Sequence, residues 1–179
     1  MVAQIFYRFI INGDAYSLIG ITGGDLVSPE YLRIQPAELS STRHRGGYYA
    51  MYELTQEALY LRELNIREEN GNHCPIGETK PAKDFYQDIY HGPGVVIPFT
   101  GKIRLAKGFV REPYINMSYQ KAIAFETVFD VTLEDGLLVG IKDRSREMEQ
   151  KRGAFKEYFN SVNSLEKTLY AFSLDVDLE

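Results

Sequence analysis

The chain has 179 residues, with 20 Lys+Arg against 25 Asp+Glu, a net charge of −5 and a pI of about 5.3. This acidic balance lacks the basic footprint that a phosphate-contacting surface needs, which argues against nucleic acid as a partner. The 44% apolar and 25% charged shares belong to a chain that buries a core, so one folded domain over residues 1–179 is expected rather than disorder.

Residues 3–11 are apolar apart from Gln4 and Arg8 and end at Asn12-Gly13-Asp14, which reads as a strand buried on both faces. Gly20, Gly23 and Gly24 read as turns. Ser28-Pro29-Glu30 carries the cap, first-turn proline and acid of a short helix start, limited by Pro36. Residues 40–47 form a polar loop. Residues 48–66 predict a hairpin. A four-residue loop, 55–58, sets Leu54 opposite Leu59 and Tyr52 opposite Leu61, all on one face. The apolar phase then moves to Leu64 and Ile66, which requires a bulge near Arg62-Glu63 or a strand that twists into a second layer.

Residues 68–84 are polar and punctuated by Gly and Pro, the pattern of a long loop that is functional or mobile. Residues 85–90 read as a strand stopped by His91-Gly92-Pro93-Gly94. Residues 95–99 follow, with Pro98 at a sheet edge or bulge, and Thr100-Gly101 turns them into a strand over 102–110. Residues 125–141 alternate most clearly. A three-residue loop, Glu134-Asp135-Gly136, pairs Leu133 with Leu137, Val131 with Val139 and Phe129 with Ile141 and keeps one apolar face. A two-residue Asp135-Gly136 loop would place Leu133 opposite Leu138 and Val131 opposite Gly140. The first register is expected, with its apolar face buried and Gly136 left-handed.

Ser145 reads as an N-cap, and Met148, Phe155, Phe159 and Val162 recur at helical spacing, weakened by Gly153 and broken over 160–164. Tyr170, Phe172, Leu174 and Val176 alternate as a final strand. The predicted fold is mainly β, or α+β. It is a curled antiparallel sheet or partly open barrel or sandwich, with one C-terminal amphipathic helix and short helical turns. The 13 Tyr and 10 Phe, without Trp, suit it.

Leu59-Tyr60-Leu61-Arg62-Glu63-Leu64, Ile97-Pro98-Phe99-Thr100-Gly101, Phe109-Val110 and Leu133-Glu134-Asp135-Gly136 follow one another in this order. Over roughly residues 59–143 this succession resembles a family of small, uncharacterised bacterial β-rich proteins. The resemblance implies the β-rich fold and a bacterial origin. It brings no catalytic residues.

Cys74 is the only cysteine, so no intrachain disulfide forms, as suits a reducing compartment. The first residues lack a leader's basic and apolar regions, and no apolar run approaches the ~20 residues that cross a bilayer. The expected setting is cytoplasmic, with no membrane partner. His73, Cys74 and His91 are the soft-ligand candidates, but adjacent side chains diverge and zinc wants three or four converging ligands, so no metal is expected. Glu126 and Asp130 lie roughly 13 Å apart by strand rise, too far for a carboxylate pair. No nucleotide-binding glycine pattern occurs, and no cofactor is expected.

Two functions fit these residues. The first is a non-catalytic binding protein for a protein partner, in an immunity-type role toward a toxin, or for a small anionic ligand. Its contact surface would be Arg43, Arg45, Tyr48, Tyr49 and Arg62, because Arg and Tyr dominate binding hot spots and guanidinium forks suit anions. The alternative is a small hydrolase-like enzyme built from the 68–91 region, with His91, Asp88 and Cys74 as its candidate catalytic residues.

Overall fold

Asn12 and Gly13 take φ of 51° and 86°, the paired left-handed geometry whose twist matches two antiparallel strands. This two-residue turn folds β1 (Arg8–Ile11) back on β2 (Asp14–Thr22). The fold comes from a computed structural model that describes residues 7–26, 31–34, 48–66, 74–84, 87–110, 121–161 and 163. The remaining strands are β3 (Tyr48–Leu54), β4 (Leu59–Ile66), β5 (Ala82–Asp84), β6 (Gln87–His91), β7 (Gly101–Phe109), β8 (Phe125–Glu134) and β9 (Leu137–Asp143). A 3-10 turn, Ala122–Ala124, precedes β8, and α1 (Ser145–Ser161) follows β9.

All nine strands form one sheet in the order β5-β6-β4-β3-β1-β2-β7-β8-β9. Every pairing is antiparallel except β1 with β3, which run parallel, so the sheet is mixed rather than purely antiparallel. That pair sets β3 on the far side of β1 from β2. Between β2 and β3, Leu26, Leu32 and Ile34 are buried in the core.

The inner face is filled by Phe9, Tyr16, Tyr52, Tyr90 and Phe99 with the leucines and isoleucines of β4, β7 and β8. Burying each such aliphatic side chain contributes about 1.5–3 kcal/mol. The sheet curls without closing. β6 covers the second half of β4, from Glu63 to Ile66, and the 95–97 segment covers the first half, with hydrogen bonds from Leu61 N to Val95 O and from Ile97 N to Leu59 O. The tip of the β8–β9 hairpin then meets the tip of the β3–β4 hairpin, where Leu59 N donates to Gly136 O and Leu138 N to Glu57 O. Gly136 has φ 81° there, and a Cβ on it would run into the Ile97 carbonyl, so this seam excludes any other residue.

On the outer face α1 packs against β8 and the 3-10 turn. Met148 packs there with Ala106, Ala122, Ile123, Ala124, Phe125 and Val128. Ion pairs hold it down. Arg104 grips Asp130 with two hydrogen bonds, Arg144 reaches both Asp130 and Glu147, and Arg152 donates to the carbonyls of Ile123 and Phe125.

The β3–β4 hairpin has the expected register, Leu54 opposite Leu59 and Tyr52 opposite Leu61, with Arg62 as the extra residue of a bulge. Other expectations are corrected. In the described part of the first strand Phe9 is buried and Arg8 exposed, so one face is apolar, not two. Residues 14–22 are a strand that contains Gly20 and bulges beside it, between Leu18 and Gly20, not a set of turns. Residues 74–84 are not a bare loop. Ile76 and Thr79 exchange two backbone hydrogen bonds, and β5 pairs with β6.

The 125–141 hairpin uses the two-residue Asp135-Gly136 loop, with φ of 50° and 81°. Leu133 faces Leu138, and a bulge then restores Val131 opposite Ile141, so the expected pairing is wrong. Ser145 is the first residue of α1 rather than its cap, and the Asp143 carboxylate accepts its N–H. The expected helix start at 28–30 and the final strand at 170–176 lie outside the described residues.

Candidate functional site

Arg43 and Arg45 lie outside the described residues. Tyr48 and Tyr49 open β3 and, being neighbours on a strand, point to opposite faces. Arg62 is exposed and paired with Glu53 at 3.0 Å, on the opposite face from Tyr48 and roughly 13 Å along β4 from the residue Tyr48 pairs with. The fold therefore does not bring Arg62 to Tyr48.

The 68–91 residues are also separated. Asp88 and Tyr90 share the inner face of β6, and both are buried. His91, one residue on, is exposed on the other face, where its Nδ1 lies 3.3 Å from a Glu63 carboxylate that Asn65 also holds. Cys74 is half-buried, and its carbonyl accepts the Tyr90 hydroxyl at 2.6 Å. His73 lies outside the described residues, among which no three His, Cys, Asp or Glu side chains converge to hold a metal ion.

Two places stand out instead. The first is β9, at the edge of the sheet. Leu137, Val139 and Ile141 are 57%, 60% and 48% exposed, the reverse of the burial expected for them. Beyond the Ala58–Leu137 bridge, nothing among the described residues pairs with the outer backbone edge of 139–143. The strand is flanked by Glu134, Asp135 and Asp143 with one base, Lys142. An open edge of this kind templates another strand. Alternation alone cannot tell such an edge from a buried strand. The bulge at Val139 breaks the alternation, setting Leu137 opposite exposed Glu134 and Ile141 opposite buried Val131.

The second lies where β1 and β3 start and β2 ends. The parallel register sets Phe9 beside Tyr52, and their rings stack at 5.0 Å. Tyr7 meets the Tyr52 ring edge-on at 6.0 Å and stacks on Tyr48 at 6.5 Å. Burial, then the neighbouring phenols and Asp25, push both the Tyr48 and Tyr52 hydroxyls well above the ordinary tyrosine range. The Tyr52 hydroxyl is buried and has no hydrogen-bond partner among the described residues.

Among the described residues no helix is long and apolar enough to cross a membrane. No family model, curated protein or solved structure matches the chain.

Proposed function

We propose that this chain is a non-catalytic binding protein, and that it engages a protein partner by taking an extended segment of it as an added strand on β9. The observation that carries this reading is the exposure of Leu137, Val139 and Ile141 on a strand whose outer backbone edge pairs with nothing among the described residues beyond Leu138. Backbone hydrogen bonds to such an edge supply affinity, and alternate side chains supply specificity. The inner face supports it too, because aromatic side chains fill it.

The partner strand carries alternating apolar residues and at least one Lys or Arg, to face Glu134 and Asp135. A second copy of the chain is a poorer occupant. Antiparallel pairing about Val139 would set Asp135 opposite Asp143, and pairing about Gly140 would set Asp143 opposite Leu137. Like charges or a charge against an apolar side chain oppose both. The reading keeps the cytoplasmic, bacterial setting.

A random peptide library displayed on phage tests it. Enriched peptides should be apolar-alternating and basic, and Val139→Lys should abolish their binding. No enrichment, or binding that survives Val139→Lys, overturns the reading.

A further inference from the structure

We propose that Tyr7, Tyr48 and Tyr52, with Asp25, form a second site at the start of β1 and β3 that takes a small primary ammonium compound. The carrying observation is the Tyr52 hydroxyl, which is buried to 0% exposure and unpartnered among the described residues. A buried hydroxyl left without a partner is costly, and native structures complete nearly all of them. Among the described residues no side chain does so, and we assign the role to a guest.

The surroundings select the guest's chemistry. The ring of Phe9 backs Tyr52 on the core side. Tyr7 and Tyr48 flank it and are themselves only half-buried. Asp25 sits just past the end of β2, exposed, and forms no ion pair with any described residue. Its charge helps raise both the Tyr48 and Tyr52 hydroxyls, and a phenol oxygen accepts a hydrogen bond. An ammonium group meets each feature. It donates N–H to the phenol oxygens, is attracted by the aromatic faces and balances the Asp25 carboxylate. A carboxylate or phosphate guest would face Asp25 and gain nothing from the rings.

The test is a titration of the protein with ethylammonium chloride, followed by the ring resonances of ¹³C-labelled tyrosine. Sodium acetate at matched ionic strength is the anionic probe. The expected result is a saturable shift of the Tyr52 and Tyr48 signals with ethylammonium and none with acetate. Asp25→Asn should weaken it about two- to fivefold, the range for one exposed charge contact. Tyr52→Phe, which keeps the ring and so the fold, should remove saturation at Tyr48. Val139→Lys should change nothing, which separates this site from the strand-binding edge. A shift that rises linearly without saturating, an equal response to acetate, or an unchanged affinity in Asp25→Asn overturns the proposal.

Discussion

Arg104 and Asp130 face each other across β7 and β8, joined by hydrogen bonds of 2.6 and 2.8 Å on the side of the sheet that α1 covers. The Arg104 side chain is 4% exposed and that of Asp130 12%. Asp130 also takes a hydrogen bond from Arg144 at 3.0 Å, so one carboxylate balances two guanidinium groups. Asp130→Ala would remove both hydrogen bonds that Arg104 makes to it and the one from Arg144, which would keep its pair with Glu147. The expected loss is about 3–5 kcal/mol, the range for breaking a buried ion pair. Urea unfolding measures it, and a loss under about 1 kcal/mol would contradict the role given to Asp130.

The neighbouring Glu147 makes stability depend on acid. Hydrogen bonds from Arg144 and then Lys151 hold its carboxyl at about 2, below its ordinary 4.5. Folding favours the ionised form, so the contribution is fully present above about pH 4.5 and is lost as pH falls toward 2. Asp143 shifts the same way through Ser145. Glu147→Gln should flatten the fall in unfolding midpoint over that window. An unchanged slope would contradict the linkage.

Tyr52 acts at the other end of the scale. With no partner for its hydroxyl among the described residues, Tyr52→Phe should raise the stability of the ligand-free protein by about 1 kcal/mol or more. A phenol raised above its unfolded value of 10 loses stability for the fold as pH rises past 10, because the unfolded chain ionises first. The alkaline decline should therefore be shallower in Tyr52→Phe. Destabilisation by more than about 1 kcal/mol would show that the hydroxyl is satisfied within the chain.

Leu105 and Val139 should differ sharply. Leu105 is fully buried on the inner face, and Leu105→Ala should cost about 2–5 kcal/mol. Val139 is 60% exposed, and Val139→Lys should stay within about 0.5 kcal/mol. Equal losses in thermal or urea unfolding would contradict the exposure of β9.

The β3–β4 hairpin was legible in the sequence because one apolar phase shift can be met by one extra residue, and Arg62 is that residue. The β8–β9 register was not. Two loop lengths preserve apolar pairing almost equally, and a bulge on β9 reconciles the shorter one with Val131 opposite Ile141. β2 was hidden because Gly20 in a strand resembles a turn until the bulge beside it is seen. Neither candidate site could be read directly. The open edge depends on where β9 ends up in the sheet, and the tyrosine site depends on a parallel pairing between β1 and β3 that joins distant parts of the chain.

Amide hydrogen exchange with and without a library-selected peptide tests strand addition to β9 most directly. The account predicts slowed exchange concentrated in residues 137–143, where the open edge gains backbone hydrogen bonds, and no such slowing in Val139→Lys. Slowed exchange that spares these residues and falls on another part of the sheet would contradict it.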